Sequence, residues 1–152
     1  ATLQERARYL AAEEVDWDLD RRRAILADAA RTGHPTDRID PSVAFRDVRV
    51  IHLAAGETLI RSGTPAGFVY LPLGSTLRGR PLGGYEDFVI GPFVLVGTTG
   101  VIRGGIRNAD IHAAEAMTLL AIPRRVFLDH WYFTYAPAEF ASVLRCDPPA
   151  RR

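Results

Sequence analysis

The sequence has no lysine and a single cysteine. All 19 of its basic residues are arginines, set against 18 acids, for a net charge of +1. Such a balance argues against a protein that coats nucleic acid or an anionic membrane. Cys146 alone excludes an intramolecular disulfide and a cysteine-built zinc site within one chain, which points to a cytoplasmic setting. No apolar run is long enough to span a bilayer. The charge-free stretch from Phe88 to Ile102 is too short and is broken by Gly91, Pro92, Gly97 and Gly100. A nucleophile elbow, a P-loop and a dinucleotide fingerprint are all missing, so no catalysis is expected. His34, His52, His112 and His130 form neither a His-x-His pair nor a helical pair with a carboxylate. Asp16, Asp18 and Asp20 imitate the start of a calcium loop. Arg21 follows where glycine is needed, and no glutamate closes the loop.

What remains is enough for one domain. The chain has 152 residues, 47% of them apolar. It starts at Ala1, as a processed chain or a piece of a longer protein would. Residues 1–33 read as helix. Thr2 and Glu5 form a capping box, and Leu3, Ala7, Leu10, Ala11 and Val15 share a face. Asp18 then caps a second helix carrying Leu19, Ile25, Leu26 and Ala29, which Gly33 and Pro35 end. Asp40 before Pro41 predicts one short helical turn.

From Phe45 the texture changes to short apolar runs between glycines and prolines. Strands are predicted at Val48–Leu53, Thr58–Arg61, Phe68–Leu71, Thr76–Arg80, Phe88–Ile90, Phe93–Val96, Arg107–Ala113 and Met117–Ile122. This spacing predicts a mainly β fold, an antiparallel jelly roll of about eight strands with a helical N-terminus and short C-terminal helices. The expected divisions are a helical extension and linker (1–44), a β-roll (45–122) and a C-terminal helical part (123–152), where helices start near Pro123 and Pro137.

One segment carries chemistry: Val96-Gly97-Thr98-Thr99-Gly100-Val101-Ile102-Arg103-Gly104-Gly105-Ile106-Arg107-Asn108-Ala109. A strand delivers the chain to Gly97, and a short helix follows whose first amides have no partners within it. Such amides attract phosphate. Gly104 and Gly105 turn the chain back, and Arg107 offers a planar bidentate donor to the same anion. A glycine-rich hairpin with an exposed or structurally paired arginine would give the same pattern.

The segment resembles the phosphate-binding cassette of cyclic nucleotide-binding domains, which runs Phe-Gly-Glu, a short helix, then Arg, a small polar residue and Ala. Gly97, Arg107 and Ala109 stand at matching spacing. Upstream, Leu53–Gly63 is similar to the family's two-glycine turn, and Phe68-Val69-Tyr70 with Gly74 to its next strand and turn. Downstream, Leu119–Ile122 and Pro123–Phe127 are similar to the last strand and hinge helix. The likeness covers roughly residues 48 to 130.

The resemblance implies a regulatory module that binds cyclic AMP, cyclic GMP or another phosphate-bearing ligand and signals through its C-terminal helices. It names Gly97, Thr98, Thr99, Gly100, Arg107, Asn108 and Ala109 as ligand-binding, with no metal and no further cofactor. On that footing Arg107→Ala should abolish binding with little loss of fold. Two positions depart from the pattern. Thr98 replaces the glutamate that receives the ribose hydroxyl, and losing one charged hydrogen bond costs about 1.5–3 kcal/mol. Asn108 stands in for the usual Ser or Thr. These departures leave open a ligand-free interaction subunit that docks a protein partner or a second copy. Trp131, Tyr132, Phe133 and Tyr135 fall where the family closes a lid over the base, but packing of the roll against the helices is the favoured reading of them. About twenty residues follow the hinge helix, too few for a dimer helix plus a helix-turn-helix. No nucleic-acid partner is therefore expected, and the effector would be a separate protein or a larger parent chain.

Overall fold

The computed structural model describes residues 12–132 apart from Tyr85. The capping box at Thr2 and Glu5, the face Leu3, Ala7, Leu10 and Ala11, the aromatics Phe133 and Tyr135, the helix expected near Pro137, and Cys146 lie outside the described residues. Within them the elements are β1 (Glu13–Glu14), α1 (Leu19–Ala30), α2 (Pro41–Ala44), β2 (Arg49–Leu53), β3 (Thr58–Ile60), β4 (Phe68–Pro72), β5 (Leu77–Pro81), β6 (Phe88–Ile90), α3 (Thr98–Arg103), β7 (Ala109–Ala113), β8 (Met117–Pro123) and α4 (Arg124–His130). The strands form two antiparallel four-stranded sheets, ordered β1-β2-β8-β4 and β3-β7-β5-β6. This is the predicted β-roll with flanking helices.

One strand prediction and one helix prediction need correction. Phe93–Val96 is not a strand. Phe93 takes a positive φ of 60°, which breaks extended backbone, and only Val96 pairs, in a single bridge to Tyr70. The eighth strand is instead Glu13–Glu14, placed by periodicity in a helix, which pairs with Val50 and Arg49. Val15, counted on the helical face, is buried just after this strand, and its amide bonds to Val48.

The helix signals at Asp18 and Asp40 hold. The Asp18 side chain accepts from the Arg21 amide at 2.8 Å and starts α1, which buries Ile25, Leu26 and Ala29. Asp40 starts α2 by accepting from the Ser42 amide at 2.9 Å and hydroxyl at 2.7 Å. These bonds, the hydroxyl's first, hold the Asp40 carboxyl below its ordinary pKa. A lowered folded pKa means the carboxylate stabilises the fold at neutral pH, and this contribution is lost as pH falls through that lowered value. In urea unfolding between about pH 5 and about pH 2, wild type should lose stability more steeply than Asp40→Asn, which keeps a capping oxygen that does not titrate. Equal slopes would overturn this role.

The core has two layers, and β8 belongs to both. Leu119 and Ala121 face the inside of the roll, among Ile51, Leu59, Tyr70, Leu77 and Ile111. Leu120 and Ile122 point to the other face, where Phe45, Ile25, Leu26, Phe127 and Trp131 cover them. A strand buried on both faces reads as a continuous apolar run, which is what Leu119–Ile122 shows. Trp131 is fully buried at the end of α4. Its ring meets Phe45 edge-on at 5.8 Å, and its indole N–H donates to the Ala44 carbonyl at 2.9 Å.

Candidate functional site

Val96 and Tyr70 exchange backbone hydrogen bonds of 2.8 and 2.9 Å, which fixes where the cassette leaves the roll. Gly97 then turns with φ +85° and precedes α3, with no side chain capping the first turn. Glycine is required here twice over. Its φ is left-handed, and a Cβ would stand 2.3 Å from an Arg107 guanidinium nitrogen. The amides of Thr98, Thr99 and Gly100 open the helix, where no i−4 carbonyl is available to them within it.

After α3, Gly104 turns the chain and the strand of return runs beside the loop at 63–66. The Arg107 amide donates to Thr64 at 2.8 Å, Gly63 donates to Arg107 at 2.9 Å, and Ala66 donates to Gly105 at 3.2 Å. Arg107 thus precedes β7, which starts at Ala109.

The Arg107 side chain folds inward and is only 4% exposed. One terminal nitrogen donates to the Gly97 carbonyl at 2.9 Å and the other to the Phe68 carbonyl at 2.6 Å. The guanidinium carbon lies 5.9 Å from the centre of the Tyr70 ring, a cation–π arrangement. The arginine therefore ties β4, the cassette turn and the start of β7 together. This corrects the expectation that truncating Arg107 leaves the fold nearly unchanged. The carbonyl of Phe68 and the ring of Tyr70 were not foreseen. A backbone acceptor has no sequence signature, and Tyr70 reads as one more inward strand residue.

The structure brings Gly97 and Arg107 into contact, with Thr98, Thr99 and Gly100 in the adjoining turn. Thr98 is 9% exposed, which limits its access to a ribose. Asn108 is half-buried, and its carbonyl accepts from the Leu82 amide at 3.0 Å. Ala109 is buried opposite Pro81.

The sequence matches no family model and no curated protein. Solved structures match in shape. PKAR CBD2 bound to Sp-2Cl-cAMPS superposes with a TM-score of 0.62 at 14% identity, over 93% of this chain and 92% of that one. The regulatory domain of Toxoplasma gondii PKA, crystallised with cAMP, gives 0.61 at 19% identity, over 76% and 46%. The Thermus thermophilus catabolite activator protein gives 0.56 at 24% identity, over 68% and 53%. The chain spans about half the length of the last two. Its fold is that of a cyclic nucleotide-binding domain.

In that fold the end of α3 touches the start of α4. Arg124 donates through Nε to the Val101 carbonyl at 3.0 Å, closing the C-terminus of α3, while its own amide donates to Gly67 at 3.0 Å. Nothing in the residue pattern marks this arginine as the link between α3 and α4. The lid reading does not apply to Trp131, which is core, and Tyr132 packs against the same cluster. Among the described residues no group of His, Cys, Asp or Glu is placed to hold a metal, and no helix is long and apolar enough to cross a membrane.

Proposed function

We propose that the chain is a regulatory module that binds a phosphate-bearing ligand, a cyclic nucleotide such as cyclic AMP or cyclic GMP first of all, and that it acts in the cytoplasm without catalysing a reaction. The observation that carries this reading is the meeting of a cation with an uncapped helical turn at one residue: the Arg107 guanidinium sits 2.9 Å from the Gly97 oxygen, where α3 opens. A phosphate placed there would accept from the first-turn amides and from the guanidinium. Charge-assisted, bidentate pairing makes it a stronger acceptor than the neutral carbonyls it would replace. Displacement of α3 would reach α4 through the bond from Arg124 to Val101. A ligand moves such an equilibrium only by its differential affinity for the two positions. The effector would be a separate protein or the rest of a longer chain.

A second reading is favoured by the same arginine. It already holds two carbonyls in a buried site, and Thr98 stands where the resembling family carries glutamate. A ligand-free module that docks a protein partner or a second copy would look like this.

Thermal unfolding with saturating cyclic AMP, cyclic GMP, cyclic CMP, cyclic UMP and linear AMP separates the two. A ligand at about a hundred times its Kd stabilises by about 2.7 kcal/mol, a rise of about 5–10 °C in Tm for a domain of this size. The expected result is such a rise with one cyclic nucleotide and none with linear AMP. No rise with any of them would replace the sensor reading with the ligand-free module.

A further inference from the structure

Among the described residues acids are sparse at one end of the roll, where Asp110, accepting from the Ser62 amide at 2.8 Å, is the carboxylate beside the loop at 63–67. There is no acid from Thr58 to Tyr85, from Phe88 to Ala109, or from Ala116 to Leu128. Three pieces of these stretches meet. The loop at 63–67 bonds to the return strand through Ala66 and Gly105 and to the start of α4 through Gly67 and Arg124, while Arg124 also closes α3. The meeting point exposes Arg103, Arg124 and Arg125. Arg103 and Arg125 have no ion-pair or hydrogen-bond partner among the described residues. The first carboxylate along either helix is Asp129, one turn beyond Arg125. Beside these cations Ile106 is 59% exposed, a large apolar side chain left in water where Pro65 and Ile106 bridge.

We propose that this surface docks an acidic segment of a partner protein that also carries an apolar side chain for Ile106. Cations of one sign grouped without carboxylates raise the local potential, steer an anionic partner and exclude a basic one. The exposed isoleucine and the net charge of +1 favour a protein segment over a nucleic acid, whose binding needs phosphate contacts spread along a longer basic track. The surface lies at the junction of α3 and α4, so an occupant would sense the relative position of the two helices. The proposal does not depend on a ligand in the cassette.

Fluorescence anisotropy with the full chain tests it. The probe is a fluorescein-labelled peptide of Glu-Glu-Leu repeats, with a Gln-Gln-Leu peptide as control. Binding of the acidic peptide alone is expected, and it should be largely lost in about 0.5 M salt, where charges are screened within a few ångströms. Arg103→Glu with Arg125→Glu should weaken it about tenfold or more, with Arg124 left in place to hold α3. Ile106→Ser should weaken it less and independently of salt. Unfolding curves confirm that each variant is folded, and Ile106→Ser serves if the charge reversals are not. Equal binding of the two peptides, or unchanged binding by the variants, would overturn the proposal. So would uptake by phosphatidylserine vesicles or single-stranded DNA in preference to the acidic peptide.

Discussion

Trp131→Ala is expected to be the most damaging single truncation in the described chain, at a cost of about 3–5 kcal/mol. The indole is fully buried and packs edge-on against Phe45, and its N–H is the donor to Ala44, at the end of α2. Truncation would open a cavity between α4, α2 and β8 and leave that carbonyl without the bond. The corresponding fall in Tm is more than about 6 °C, since 1 kcal/mol is about 2–4 °C at this size. Trp131→Phe keeps most of the apolar contact and loses only the donor, so about 1–3 kcal/mol should go. Urea titration of both variants checks the pair. A Trp131→Ala protein within about 1 kcal/mol of wild type would show that the ring does not hold α4 down.

Arg107→Ala should damage stability and ligand binding together. It removes two charge-assisted hydrogen bonds from a site that is 4% exposed, and it strips the Gly97 and Phe68 carbonyls of their donor. A loss of about 2–4 kcal/mol is expected. Arg107→Lys should recover part of the charge and little of the stability, because a single ammonium cannot reproduce a planar fork between two acceptors. Denaturant unfolding reads the first effect. Titration with whichever cyclic nucleotide raises the wild-type Tm, carried out where the variant is still folded, reads the second. Unchanged stability would mean that the guanidinium does not clamp the cassette. Unchanged affinity in a folded variant would remove Arg107 from the ligand site.

What could be read in advance followed the physics of local signals. Asp18 and Asp40 announced their helices because capping is a contact within three residues. The strands from Val48 to Leu53 and from Met117 to Ile122 announced themselves by residue type and by flanking turns. The turn into α3 was legible at Gly97, and the return of Arg107 toward it was legible from the spacing. The rest depended on contacts distant in sequence. Glu13 and Glu14 have no strand signature, and only the free edge of β2 makes them one. Phe93–Val96 is apolar enough for a strand, yet it is bent out of one by the backbone at Phe93. The destination of the Arg107 side chain rests on two carbonyls, 10 and 39 residues away, that no pattern of side chains encodes. Trp131 carried the right chemistry for stacking on a base, but its partner is Phe45, on the opposite side of the sequence.

The passage from β8 to α4 occupies one residue. Pro123 closes the strand, and the helix starts at Arg124. Its backbone stands at φ −57° and ψ 147°, and the pyrrolidine ring locks the first of these angles. The helix is therefore mounted on a doubly buried strand by a short pivot, in which ψ of Pro123 and φ of Arg124 are the rotatable bonds. Seven residues make a rod of about 10 Å, so a rotation of about 30° about either bond carries its far end by as much as about 5 Å. The far end is Trp131, seated on Phe45 and Ala44. An outward swing of the helix would have to unseat the indole together with Val126 and Phe127 and to break the bonds of Arg124 to Gly67 and Val101.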